Sequence, residues 1–254
     1  VEHLPTARQL QELARNRQGY SRPELAILLA YVKMGLYRRL LETDFPEEPH
    51  FAHYLLDYFP ATLVERFREQ TLNHSLRREI TATQFTNRVV DLLGISFVHR
   101  LLRDTGATPV EVIRSALISL EILAADSYVD GVFALDNKVP AEVQYELLNE
   151  LVGAVDGLVQ WMILSDLGRL EVSEFVDTYQ QPLRELRRSL PEVLAPAPAE
   201  RLAATAAAFT EQGIPEELAV AAAGFDFLPS SVGAIEASRE SGTDLLAAAR
   251  RFYL

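Results

Sequence analysis

The residues best spaced for chemistry are His50, His53 and Asp57. Residues three and four apart share one face of a helix, so this trio would turn two imidazoles and a carboxylate the same way. Such a donor set ligates zinc or non-haem iron. The commoner reading of the segment FAHYLLDYF is an aromatic, half-buried helix whose histidines cap or hydrogen-bond locally. Glu47-x-x-His50 also supplies half of the inward-facing Glu-x-x-His pattern of di-iron bundles. That pattern needs a second copy, which is absent, and Pro46 and Pro49 oppose a continuous helix here.

Other chemistries are removed by composition. The chain has no cysteine, so thiolate nucleophiles, disulfides, iron-sulfur clusters and cysteine zinc sites are all excluded. No two glycines lie closer than Gly153 and Gly157, which leaves no G-x-G-x-x-G fingerprint and no Walker loop. A Gly-x-Ser-x-Gly elbow is missing as well. Lys33 and Lys138 are the only lysines, and neither sits in a suggestive setting for Schiff-base chemistry. Arginine supplies the other basic residues, with doublets at Arg38-Arg39, Arg77-Arg78, Arg187-Arg188 and Arg250-Arg251. A guanidinium fork binds carboxylates bidentately, so a doublet could clamp a dicarboxylic acid or an acidic surface. A solvated helix face is the plainer use of the same residues.

A polar row follows one of these doublets. Glu79, Thr83 and Asn87 recur every four residues in a segment otherwise suited to burial, with Arg78 at its start. Polar groups in a core must be paired. The row therefore predicts a hydrogen-bonded network of Arg78, Glu79, Thr83 and Asn87 that fixes the register of neighbouring helices.

The elements that would carry these residues are helices throughout. Apolar residues return at helical spacing in Leu25, Leu28, Leu29, Val32, Leu36 and Leu40, and again in Val143, Leu147, Leu151, Val155, Leu158 and Met162. Ser21-x-x-Glu24 and Thr108-x-x-Glu111 read as capping boxes that start helices, each with proline in the first turn. The spacing predicts helices over 6–17, 22–43, 50–58, 61–72, 75–93, 96–104, 109–126, 139–166, 173–189, 199–212, 215–224, 229–240 and 243–252. Short connections, holding residues such as Gly94, Gly106, Gly168 and Gly213, make neighbours antiparallel. The fold class expected is all-α, a layered multi-helix bundle without significant sheet. An Ala/Pro stretch at 194–198 would separate a main domain, 1–193, from an alanine-rich helical segment, 199–254, packed on it or on another subunit.

Charge narrows the partners. The net charge of -12 is uneven: residues 1–127 carry 15 basic against 16 acidic side chains, and residues 128–254 carry 9 against 20. Such a surface repels phosphate backbones and anionic lipid, so neither nucleic acid nor membrane is an expected partner. The run VEHLPTARQLQEL has neither the positive nor the apolar region of a secretion signal, and no stretch reaches 18 uninterrupted apolar residues. A cytoplasmic location is the expectation.

Four segments in order carry a resemblance. They are RPELAILLAYVK at 22–33, LRREITATQ at 76–84, GISF at 94–97 and LDNKVPAEVQ at 135–144. Together they resemble the C-terminal part of the large bacterial NAD-specific glutamate dehydrogenases, and the likeness extends over nearly the whole chain. That resemblance implies a helical region following a substrate domain and a dinucleotide-binding domain. It implies a parent enzyme that deaminates L-glutamate oxidatively to 2-oxoglutarate and ammonia with NAD as cofactor. No segment here matches the catalytic lysine and aspartate region, so no catalytic residue is carried over and no cofactor is expected in this stretch. The partners implied are the catalytic core of the same polypeptide, on which a regulatory influence is expected, and identical subunits. A stand-alone helical module that binds another protein is the alternative.

Overall fold

The computed structural model describes residues 4–165 and 170–253. Gly168, expected in a connection, lies outside the described residues. Among the described residues there is no strand, and the fold is all-α. The helices are α1 (Ala7–Arg15), α2 (Arg22–Leu41), α3 (Ala52–Asp57), α4 (Ala61–Leu72), α5 (Arg77–Leu93), α6 (Phe97–Thr105) and α7 (Pro109–Ile122). They continue as α8 (Ala125–Phe133), α9 (Ala141–Leu164), α10 (Val172–Val193), α11 (Pro196–Glu211), α12 (Glu216–Gly224), α13 (Leu228–Ser241) and α14 (Leu245–Tyr253).

Local chemistry sets the helix starts. Ser21 accepts the Glu24 amide while the Glu24 carboxylate accepts both the Ser21 amide and hydroxyl, each at 2.7 Å. These bonds hold the Glu24 carboxyl below the usual glutamate range, the Ser21 hydroxyl contributing most. Thr108 and Glu111 form the same reciprocal pair, with the Thr108 amide donating to the carboxylate at 2.7 Å. Thr6 and Gln9 make a third box that heads α1.

Several elements differ from the spacing-based reading. The helix expected over 50–58 is a 3-10 turn, Pro49–Phe51, leading into the short α3, because Pro49 cannot continue a helix from upstream. The helix expected over 109–126 stops at Ile122, and a second one, α8, occupies 125–133, most of it in a stretch where no helix was expected. Ala124 breaks them apart with a left-handed backbone, φ 53 and ψ 46. The 194–198 stretch is extended only at Leu194 and Ala195; Pro196, Ala197 and Pro198 form the first turn of α11. Proline at the first helical position gives up a donor that has no partner there anyway. α10 meanwhile runs through Pro182 and Pro191.

Packing groups the chain into two compact units: residues 1–102 with 108–113, and residues 103–107 with 114–254. This division differs from the one expected at 194–198. In the first unit α5 is the centre. Thr81, Ala82, Phe85, Thr86, Val89, Val90 and Leu93 form its buried stripe at helical spacing. Phe85 is fully buried inside a ring of aromatics, with centroids 5.0 Å from Phe45, 5.5 Å from Phe51 and 5.2 Å from Tyr54. The C-terminal end of α2 reaches this core through Leu36 and Leu40.

In the second unit α9 and α10 are the principal core helices. α9 buries Val143, Leu147, Leu151, Ala154, Val155, Leu158, Val159 and Met162, the apolar repeat expected from the sequence with two additions. α10 buries eight side chains from Val172 to Val193. The alanine-rich end of the chain packs here: α13 lies on α9 and α10, α14 on α10 and α13, and α12 on α8 and α11. Two stretches, Ala141–Leu164 and Glu216–Ser241, are long and apolar enough by composition to cross a membrane. Both contribute heavily to this core.

Candidate functional site

The proposed metal ligands do not converge. Among the described residues, no group of three His, Asp or Glu side chains is placed to hold a metal ion. The 3-10 turn at Pro49–Phe51 removes the shared helical face on which the trio depended. His50 instead meets the Phe51 ring edge-on at 5.4 Å, and His53 leans on Tyr54 at 4.5 Å. His53 and Asp57 are exposed. The Glu47 carboxylate is taken by two arginines, Arg77 at 2.7 Å and Arg78 at 2.9 Å.

Arg78 is the polar junction of the first unit. It enters from the start of α5 and donates to the Glu47 carboxylate, to the Leu41 carbonyl at 3.0 Å and to the Thr43 carbonyl. Leu41 is the last residue of α2, whose closing carbonyls have no intrahelical donor, and Thr43 lies in the turn just beyond it. One guanidinium thus caps α2 and ties it to α5. The rest of the expected row does not join in. Thr83 is exposed and its hydroxyl donates back to the Glu79 carbonyl at 2.8 Å on the same helix. Asn87 lines a surface groove of about 200 Å³ with Lys33, Met34 and Tyr37 of α2. Thr83 lines the same groove, so this part of the row borders α2 across open space and does not bond to it.

The second unit holds a cluster that spacing did not reveal. The Tyr179 hydroxyl of α10 donates to Glu236 of α13 at 2.7 Å, and Arg239 holds the same carboxylate oxygen at 3.0 Å. Burial, and then the Glu236 carboxylate, push the Tyr179 hydroxyl above its ordinary range. Trp161 of α9 packs edge-on against Tyr179 at 5.5 Å. These groups lock three helices, with Arg239 on the solvent side of the cluster.

A cleft of about 340 Å³ opens between α8, α10 and α12. Arg187 enters it from α10, Tyr128 from α8 and Glu217 from α12. Tyr128 is spent on a 2.8 Å hydrogen bond to the Leu147 carbonyl, and burial raises its pKa. Burial lowers the pKa of the Arg187 guanidinium, helped by the charges of Arg184 and Arg188. The doublet Arg187-Arg188 was visible in the sequence. Its companions Tyr128 and Glu217 come from other helices, and no spacing rule connects them.

α2 carries exposed apolar side chains. From Leu25 to Met34 every residue of α2 except Lys33 is apolar, yet nothing between Arg22 and Gly35 is buried. Leu25, Tyr31 and Met34 are 44%, 51% and 47% exposed. A helix that is apolar on all sides ordinarily lies inside a larger core.

Comparison with known proteins bears on all of this. The family described as "Glutamate dehydrogenase, C-terminal" matches residues 17–254. NAD-specific glutamate dehydrogenases of Halomonas elongata and Pseudomonas aeruginosa are each 30% identical over 253 residues, covering 100% of this chain and 16% of theirs. The NAD-specific glutamate dehydrogenase of Mycobacterium tuberculosis is 30% identical over 219 residues, 86% of this chain and 13% of its own. The chain therefore spans about a sixth of the length of the first two relatives, and less of the third. With the all-α fold and the apolar α2 in place, the match over nearly every residue shows that the chain belongs to the glutamate dehydrogenase C-terminal family.

Proposed function

We propose that this chain is a non-catalytic helical domain of an NAD-dependent glutamate dehydrogenase in the cytoplasm. It would pack against the remainder of that polypeptide and against identical subunits. The oxidative deamination of L-glutamate, and NAD binding with it, would belong to the part the relatives have and this chain does not span. The observation that supports the reading is α2, whose apolar stretch from Leu25 to Met34 stays uncovered within the chain. Contiguous exposed apolar surface of this kind marks an interaction site.

Purified alone, the chain is expected to give no glutamate-dependent reduction of NAD. Placed in the longer polypeptide, Leu29→Glu with Met34→Glu is expected to lower the yield of assembled enzyme. The same pair should leave the far-UV circular dichroism of the 254-residue chain unchanged, because both side chains are already exposed. Turnover by the chain alone at the rate of an intact glutamate dehydrogenase overturns the reading, and so does assembly indifferent to the double substitution.

A further inference from the structure

We propose that the cleft between α8, α10 and α12 binds a small monocarboxylate with a short aliphatic body, its carboxylate held by Arg187. The cleft's volume of about 340 Å³ falls within the range of small-molecule sites. Its walls are of two kinds. Leu218, Ala221 and Pro215 present apolar surface from the α12 side, while Arg187 brings a guanidinium from α10.

Arg187 is the reason to expect an anion. Its side chain is half-buried, and among the described residues it makes no hydrogen bond or close ion pair, the Glu217 carboxylate attracting it only from farther off. A guanidinium carries five donors and no acceptor, so a partly desolvated one is incomplete without an oxygen partner. Arg184 and Arg188 add positive charge nearby, which further favours a negative ligand. The planar fork matches a carboxylate in bidentate geometry.

The side chain is also positioned in advance. Arg187 lies over the Phe225 ring at 5.9 Å, and Tyr128 meets the same ring edge-on at 4.8 Å. The stem of Arg187 also passes close to α12: a Cβ built at Gly224 would stand in ordinary contact with the Arg187 Cγ at 3.5 Å. A fork held by stacking loses less freedom on binding than a loose one.

Glu217 sets the ligand's other end. Its carboxylate lines the cleft and attracts Arg187 without reaching it in an ion pair, so a second carboxylate on the ligand would face a like charge. A monocarboxylate avoids that repulsion, and an α-ammonium group would meet an opposite charge. Two sources share this chemistry, a simple branched acid and an aliphatic amino acid.

Calorimetric titration of the protein with isovalerate, L-leucine and isoamylamine tests the proposal. Saturable binding is expected for at least one of the two acids and none for the amine. Binding of L-leucine alone would assign the site to amino acids, and of isovalerate alone to simple acids. Arg187→Gln is expected to weaken binding at least about tenfold, with Arg187→Lys between it and the parent. Ala221→Leu keeps every charge but fills the cleft, and it should weaken binding by a similar factor with little change in melting temperature. It decides the matter if Arg187→Gln fails to fold. Absence of saturable binding by both acids, equal binding of the amine, or undiminished binding in Ala221→Leu overturns the proposal.

Discussion

Arg78 contributes to the first unit by a route that its net charge does not suggest. Of its acceptors, Asp44 is 99% exposed at 3.5 Å, and an ion pair of that kind is worth little. The carbonyls of Leu41 and Thr43 matter more, since the first ends α2 without a donor in the helix and the second lies in the turn just beyond it. Arg78→Ala is therefore expected to cost about 2 kcal/mol in chemical denaturation, and Asp44→Ala less than about 0.5 kcal/mol. If the two variants lose equally, the carbonyl contacts are not what holds this corner. The prominence of Arg78 was legible in the sequence because it begins a polar row. The failure of Glu79, Thr83 and Asn87 to form a network was not legible. Whether a row at every fourth residue faces a neighbour depends on which side of α5 the aromatics of 45–54 cover, and that is decided by packing.

Elements were legible where their ends are chemically marked. The capping boxes at Ser21 and Thr108 fix two helix starts to the residue, and the apolar repeat of α9 survives almost unchanged. α8 was hidden because Ala124, an ordinary helix former, takes the left-handed conformation and leaves no glycine or proline to announce the corner. Helix crossings were equally invisible, and two glycines show what they demand. At Gly157 in α9 a Cβ would stand 2.7 and 2.8 Å from the ring of Pro229, which cannot swing aside. At Gly233 in α13 it would stand 2.6 Å from the Phe252 ring, which is 47% exposed and can rotate into solvent. Alanine gains about 1 kcal/mol of helix propensity over glycine at either place. Gly157→Ala is expected to be destabilising by about 1–2 kcal/mol net, because overpacking against a rigid neighbour outweighs that gain. Gly233→Ala should melt within a few degrees of the parent. Thermal melts that reverse the order would show that α9 and α13 can separate more easily than α13 and α14.

At the scale of the molecule the uneven charge has a thermodynamic side. Residues 128–254 carry eleven more acidic than basic side chains, 20 against 9. Glu150 registers the crowding: burial raises its carboxyl above the glutamate range, and Asp226 and Glu146 raise it further. The ion pairs that salt would weaken, such as Arg39 with Glu42, are exposed at both partners and contribute little. Raising salt from about 10 mM to about 150 mM, which shortens the screening length from about 30 to about 8 Å, is therefore expected to raise the melting temperature. A fall would mean that exposed pairs outweigh self-repulsion. Lys33, on the uncovered stretch of α2, is held to Asp91 at 2.6 Å, and Lys138 stands exposed at the far end of a loop. With only these two ammonium side chains along 254 residues, an acylating reagent meets an almost silent background. The ratio of label on one to label on the other becomes a gauge of how far that greasy helix has been shielded by whatever comes to rest upon it.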